Sequence, residues 1–173
     1  MKIILCPIGD IDAAVLAELG QSLQDIFGCS LEKDIKADLP HAAYNSRRRQ
    51  YEAVSVLSSV QKSVPSGGAK ILGVVDADLY TQELNFIFGL ADSSSNIALI
   101  SLARLQEEFY GHARNNRLFM QRALKEAVHE LGHLLGLEHC GDIKCVMHFS
   151  NSLQDTDIKS TAFCLNCQPR LIK

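Results

Sequence analysis

The residues best suited to chemistry are three histidines and Glu130 in one short run, His129-Glu-Leu-Gly-His133-Leu-Leu-Gly136-Leu-Glu-His139. Residues four positions apart on a helix lie on one face, about 6 Å apart along the axis, so the imidazoles of His129 and His133 can bind one metal ion. His139 can join them only if the chain turns back after the helix. Gly136 permits that turn, because glycine adopts a left-handed backbone conformation at little cost.

Three neutral imidazoles leave the fourth position of a tetrahedral zinc ion open to water, which is typical of a catalytic site. Zinc lowers the pKa of such a water toward about 7, and Glu130, beside His129, could accept the proton. The pattern therefore favours peptide-bond hydrolysis with Glu130 as general base. Hydrolysis of another amide stays open. So does a catalytically silent, zinc-stabilised module for peptide binding or regulation, although such a module has no use for Glu130.

A second group of candidate ligands consists of four cysteines near the end of the chain: Cys140, Cys145, Cys164 and Cys167. Two closely spaced pairs of thiolates predict a closed tetrahedral zinc site with a structural role, the alternative being disulfides or inert buried thiols. The segment around them has few apolar anchors, and zinc binding would stabilise it. We therefore expect two Zn²⁺ ions. Because Cys140 directly follows His139, an ordered second site should hold the third catalytic ligand in place.

The motif H-E-x-x-H-x-x-G-x-x-H-C-x4-C-x-M followed by C-x-x-C, over residues 129–167, resembles that of the archaemetzincins, zinc peptidases of the metzincin clan. The resemblance implies a shallow cleft that takes peptide or protein substrates, with Met147 as a Met-turn beneath the histidines. Phe149 stands where some metzincins have a tyrosine that assists the metal site, so no such role is carried over. Aminopeptidase-like cleavage is one expectation, and both end trimming and internal cleavage stay open.

In metzincins the antiparallel edge strand of the sheet lines the upper rim of the cleft. The corresponding segment here is predicted to be the strand Asn85, Phe86, Ile87, Phe88, Gly89 and Leu90. An exposed strand edge can bind an extended peptide through backbone hydrogen bonds. We therefore take these six residues as the candidate substrate-binding strand.

The elements that must position these residues follow from hydrophobic periodicity and from turn and cap signals. They are a strand at 2–8, a helix at 12–27, a strand at 29–35, a helix at 46–62, strands at 70–75, 85–90 and 96–102, and a helix from Asn115 or Asn116 to Gly136. This order predicts an α/β fold with a mixed, twisted sheet of about five strands and one antiparallel edge strand. The active-site helix and two other helices cover it.

Composition limits the classes of function and partner. The chain has 173 residues with 47% hydrophobic content, enough for one compact catalytic domain, which we divide into subdomains at 1–137 and 138–173. A net charge of −3 argues against nucleic acid as a partner, and Arg47–Arg49 is interpreted as the solvated start of a helix. No apolar run suits a membrane span or a signal sequence, so we expect a cytoplasmic monomer. With no pro-segment ahead of Lys2, we expect no latent zymogen.

Overall fold

The computed structural model describes residues 1–32, 35–65 and 67–171 of the chain. Its strands are β1 (Lys2–Ile8), β2 (Ser30–Glu32), β3 (Tyr44–Asn45), β4 (Gln50–Glu52), β5 (Lys70–Val75), β6 (Leu79–Tyr80), β7 (Gly89–Asp92) and β8 (Ile97–Ser101). Its α-helices are α1 (Ala13–Phe27), α2 (Ala53–Ser63), α3 (Asn116–Leu134) and α4 (Leu153–Ile158).

The main sheet has five strands in the order β2-β1-β5-β8-β7. All neighbours are parallel except β7, which pairs antiparallel with β8 and forms one edge. The inner strands β1, β5 and β8 are almost wholly buried, because helices cover both faces and the strands are rich in isoleucine, leucine and valine. The predicted mixed sheet with an antiparallel edge strand is confirmed.

Two hydrophobic cores lie on opposite faces of the sheet. One core joins α1 and α3 to the sheet, and the other joins α2 to it. The first core continues into the C-terminal segment through Val146, Met147 and Cys167. Helix α3 therefore lies between the sheet and the C-terminal segment, which explains why ten of its residues are buried.

The ends of the two longest helices follow from their caps. The Asp12 side chain accepts a hydrogen bond from the Ala14 N–H at the start of α1, and Gly28, with φ of 58°, ends that helix. The Asn115 side chain accepts a hydrogen bond from the Leu118 N–H at the start of α3. These predicted boundaries agree with the structure to within two residues.

The predicted helix at 46–62 is wrong at its beginning. Helix α2 starts at Ala53, and the preceding residues form a tight β3–β4 hairpin in which Arg49 has a positive φ of 57°. The Asn45 side chain accepts hydrogen bonds from the Arg47 and Arg48 N–H groups and so stabilises this turn. Arg47–Arg49 is accordingly a hairpin turn and not the start of a helix.

The predicted edge strand at 85–90 is also displaced. Strand β7 covers Gly89–Asp92, whereas Ile87 forms an isolated bridge with Leu79 of β6. Strands β3, β4 and β6 form a small second sheet that the sequence patterns did not predict. Each of these strands has only two or three residues, too few to show an alternating pattern.

The C-terminal segment contains the short helix α4, which begins at a capping box formed by Ser152 and Asp155. Strand β2 covers Ser30–Glu32 of the predicted strand 29–35, of which residues 33 and 34 lie outside the described part of the chain, as do residues 66, 172 and 173. Among the described helices, none is both long and apolar enough to cross a membrane.

Candidate metal centre and cleft

Helix α3 presents His129 and His133 from successive turns, with their Nε2 atoms 3.1 Å apart. The Nδ1 atom of His129 lies 2.7 Å from the Val146 carbonyl oxygen, and that of His133 lies 2.8 Å from the Leu137 carbonyl oxygen. A carbonyl oxygen only accepts hydrogen bonds, so each Nδ1 carries the proton and donates. Each Nε2 of a neutral ring is therefore left with a free lone pair, and the two lone pairs meet.

The chain turns sharply after α3 and brings His139 back to the same point. Gly136 has φ of 85°, in the left-handed region, and its N–H donates to the His133 carbonyl oxygen. The His139 ring centre lies 5.4 Å from that of His129 and 4.9 Å from that of His133. On its outer side His139 packs against the Phe149 ring, whose centre lies 4.9 Å away.

The three histidines are suited to a metal ion. One ring nitrogen of each lies within 4.8 Å of the others. Burial lowers the pKa of His129 to about 2 and lowers those of His133 and His139, so the rings are neutral, the form that binds metal. Lone pairs as close as those of His129 and His133 repel each other unless a cation lies between them. A divalent metal that prefers imidazole, such as zinc, satisfies this arrangement.

Glu130 is buried beside the histidines and lines the same cleft. Burial raises the pKa of its carboxyl well above the ordinary value, and the negative charge of Glu126 raises it further. A Cβ at Gly89 of β7 would lie only 2.4 Å from the Glu130 Oε1. Glycine at 89 therefore lets the carboxylate lie against the edge strand.

Met147 packs directly beneath the histidine-bearing turns of α3. It is fully buried, and a Cβ at Gly132 would lie 2.4 Å from its Sδ atom. The neighbouring Val146 carbonyl is the acceptor for His129, so this turn both supports the helix and orients an imidazole. Gly132, which the sequence analysis did not single out, permits this close approach.

The four C-terminal cysteines form a separate cluster in which all Sγ atoms lie within 4.8 Å of one another. All four are free thiols, and the Sγ atoms of Cys140 and Cys164 are 3.8 Å apart, far from the length of a disulfide bond. Four sulfur atoms at this separation suit one tetrahedral zinc ion.

Backbone N–H groups point at the cysteine sulfurs and favour thiolates. The Cys164 N–H donates to the Cys145 Sγ at 3.3 Å, and the Asp142 N–H donates to the Cys140 Sγ at 3.5 Å. Hydrogen bonds from the backbone N–H groups of Cys167 and Asn166 lower the pKa of Cys164 to about 7. Burial raises the pKa values of Cys145 and Cys167, so a bound cation is needed to keep all four sulfurs as thiolates.

The histidine triad opens into a cleft of about 940 Å³. Segment 81–91 forms one wall, and the turn after α3 together with residues 149–151 forms the other. The carboxylates of Glu52, Glu83, Glu126 and Glu138 also line it. A cleft of this volume can hold several residues of an extended peptide.

The cleft wall at 85–88 is held by side chains that the sequence analysis missed. Arg48 and Gln50 both donate hydrogen bonds to the Asn85 carbonyl oxygen, at 3.1 and 2.9 Å. Arg104 lies over the Phe86 ring and forms a two-point ion pair with Asp78. These groups come from separate elements, so no local spacing in the sequence marks them.

A second group that the sequence analysis did not identify surrounds the Glu126 carboxylate on α3. The Lys159 side chain is fully buried, and its Nζ lies 3.0 Å from the Glu126 Oε1. The Thr156 hydroxyl donates to the same oxygen at 3.0 Å. Glu126 is four residues before Glu130 and shares its helix face, which is a weak sequence signal, whereas no local pattern marks Lys159.

A family model, sequence relatives and solved structures all relate this chain to the same group of proteins. Residues 30–173 match the family model described as peptidase family M54. The archaemetzincin of Pyrococcus abyssi is 46% identical, with 99% of this chain and 94% of the relative covered. The malonate-bound crystal structure of the Archaeoglobus fulgidus archaemetzincin has a TM-score of 0.85 at 36% identity, covering 99% of this chain and 100% of that one. A zinc-dependent peptidase from Methanocorpusculum labreanum gives 0.89 at 28% identity, covering 97% and 98%.

Proposed function

The chain belongs to peptidase family M54, the archaemetzincins, which are zinc-dependent peptidases, and on this basis we propose that His129, His133 and His139 hold its catalytic zinc ion. The observation that carries the proposal is the convergence of three neutral imidazoles at the floor of a peptide-sized cleft. Zinc bound there would polarise the scissile carbonyl and lower the pKa of water.

Glu130 is the general base of this proposal. Its raised pKa suits a group that takes a proton and then releases it to the leaving amine. Burial between α3 and Gly89 holds the carboxylate in one place and excludes bulk water from it. Val146 and Leu137 keep the imidazoles in the tautomer that leaves Nε2 free.

The four cysteines hold a second, structural zinc ion in this proposal. Among the described residues the cluster offers four sulfur ligands and no further donor, so a tetrahedral ion there leaves no open position for a substrate. The second ion stabilises the subdomain predicted at 138–173.

The division at residue 137, the monomeric state and the cytoplasmic location remain predictions. The lack of nucleic-acid and membrane partners is also a proposal, and the net charge of −3 supports it.

An extended peptide binds along the outer edge of β7. The Ser101 N–H donates to the Phe88 carbonyl oxygen, and Gly89 pairs with Ile100. Because antiparallel residues alternate, Gly89 and Ala91 direct their backbone N–H and C=O groups away from β8. These groups are the points of attachment for substrate.

The first test compares the wild-type protein with Glu130→Gln on a mixed peptide library. We expect both forms to contain two zinc ions and the variant to lose hydrolysis by about a thousandfold or more, because the water loses its proton acceptor. Glu138→Gln, which alters an exposed carboxylate of the same cleft, is the matched control and should retain most activity. Unchanged turnover in Glu130→Gln would remove Glu130 as the base, and the cut sites would separate end trimming from internal cleavage.

The edge-strand proposal is tested by Ala91→Pro, which removes one outward N–H and leaves the hydrogen bonds to β8 in place. We expect KM for peptides to rise about tenfold with zinc content unchanged. Ile87→Pro is unsuitable, because the Ile87 N–H already donates to the Leu79 carbonyl oxygen. Ala91→Ser keeps the N–H and serves as the control. Equal KM values for the proline and serine variants would argue against this strand as the substrate site.

A further inference from the structure

The buried ion pair of Glu126 and Lys159 has no part in the chemistry proposed so far. The Lys159 side chain has no exposed surface, and that of Glu126 is 4% exposed. Removing two charges from water is costly, and an apolar pair of similar volume is often as stable or more so. A buried pair beside a reaction centre therefore calls for an explanation beyond packing.

The pair lies next to the triad on two sides. Glu126 is one helical turn before Glu130 on α3 and lines the same cleft. The Lys159 Nζ reaches to 3.5 Å from the His148 carbonyl oxygen, one residue after the Met147 that supports the histidines. Both charges are thus packed against α3 and the segment around Met147, the two elements that hold the imidazoles in place.

The charges of Glu126 and Lys159 lie on the side of α3 that carries the triad. Glu126 is three residues before His129, positions three apart share one face of a helix, and the Lys159 ammonium is paired with the Glu126 carboxylate. A positive charge at short range disfavours a further cation between the imidazoles, and a negative charge favours it. Burial limits screening by water and salt, so the effect on a divalent ion is larger than it would be at the surface.

We propose that the Glu126–Lys159 pair sets the affinity of the histidine triad for its metal, with the carboxylate strengthening cation binding and the ammonium weakening it. The proposal rests on the metal site under "Proposed function". Paired, the two charges oppose each other at the triad. Alone, each would shift metal affinity in its own direction.

A purely structural pair gives a different expectation. The Glu126 carboxylate also accepts from Thr156, so the pair ties the segment around α4 to α3. If this tie were its only role, loss of either partner would loosen the site and weaken zinc binding. The sign of the change for the lysine variant separates the two explanations.

The experiment measures zinc affinity by competition with a chelator at neutral pH, with the cysteine site kept loaded. Lys159→Met should bind triad zinc about tenfold more tightly, and Glu126→Gln about tenfold more weakly. The double variant should lie within about threefold of the wild type, because the opposing charges are both gone. Thr156→Val removes a hydrogen bond without altering charge and should leave the affinity unchanged.

Weaker zinc binding in both single variants, or a tenfold loss in Thr156→Val, would overturn the proposal. Lys159→Gln carries the same expected sign and replaces Lys159→Met if that variant fails to fold. His133→Ala, measured in parallel, identifies which ion belongs to the triad. If the wild-type protein holds no ion that depends on His133, the metal site itself is wrong, an outcome distinct from failure of the charge proposal.

Discussion

The two candidate metal-binding clusters of this protein are positioned by different kinds of structure. The histidine triad takes two of its three residues from α3, a 19-residue helix packed between the sheet and the C-terminal segment. The cysteine cluster takes all four residues from short irregular stretches beyond that helix. The first site is positioned by a hydrophobic core, whereas the second has little regular structure to position it.

This difference implies that the two clusters have different roles. A site positioned by the hydrophobic core keeps its shape without metal, so it can leave a coordination position open for chemistry. A site formed by irregular segments depends on its metal for order. The two meet where His139 is followed by Cys140, and the Cys140 N–H donates to the Met147 carbonyl oxygen. The cysteine site should therefore help to hold the third histidine.

Stepwise removal of metal should separate the clusters most clearly. A chelator of moderate strength should first take the triad ion, since it has three protein ligands, one of them the exposed His139, while four thiolates retain the other. Hydrolysis should disappear entirely while thermal unfolding remains cooperative, and added zinc should restore activity. Loss of the fold at the same chelator concentration as loss of activity would contradict the contrast between the clusters.

Cys164→Ser tests whether the cysteine cluster supports the histidine triad. We expect the free energy of unfolding to fall by several kcal/mol and triad zinc to bind about tenfold more weakly, through Cys140 and His139. Chemical denaturation and chelator competition measure the two effects.

Cys6→Ser is the control for this variant, because Cys6 is a fully buried thiol in the core on the other face of the sheet. It should cost stability and leave triad affinity unchanged. Equal zinc affinity in Cys164→Ser and the wild type would show that the two sites are independent.

A smaller effect is expected from Gly132→Ala at the contact between α3 and Met147. The added methyl group would meet the Met147 Sδ at 2.4 Å, and we expect a loss of about 1–3 kcal/mol in unfolding free energy. Gly141→Ala, where a Cβ would meet no atom within 4 Å, is the matched control. If Gly132→Ala costs less in a Met147→Ala background than in the wild type, the clash with Met147 is the cause, whereas an equal cost in both backgrounds would exclude it.

Much of the fold could be predicted because its elements are long and periodic. Strand β1, helix α1 and helix α3 each have a continuous apolar pattern with a clear turn or cap at one end. The prediction that a helix begins at residue 46 was wrong because Asn45 and Arg47–Arg49 form a turn, and no glycine or proline marks this turn in the sequence. The short strands β3, β4 and β6 exist only because they pair with one another.

Local spacing in the sequence determined the candidate ligands, because His129, Gly136 and His139 lie within eleven residues. Helix geometry relates His129 to His133, and Gly136 permits the turn that returns His139. Tertiary structure alone decided which groups surround them. Lys159 meets Glu126 across 33 positions, and Arg104 meets Asp78 across 26. The position of the edge strand Gly89–Asp92, where we propose that substrate binds, likewise depended on pairing with β8. Such contacts arise from packing between distant segments, and no local pattern encodes them.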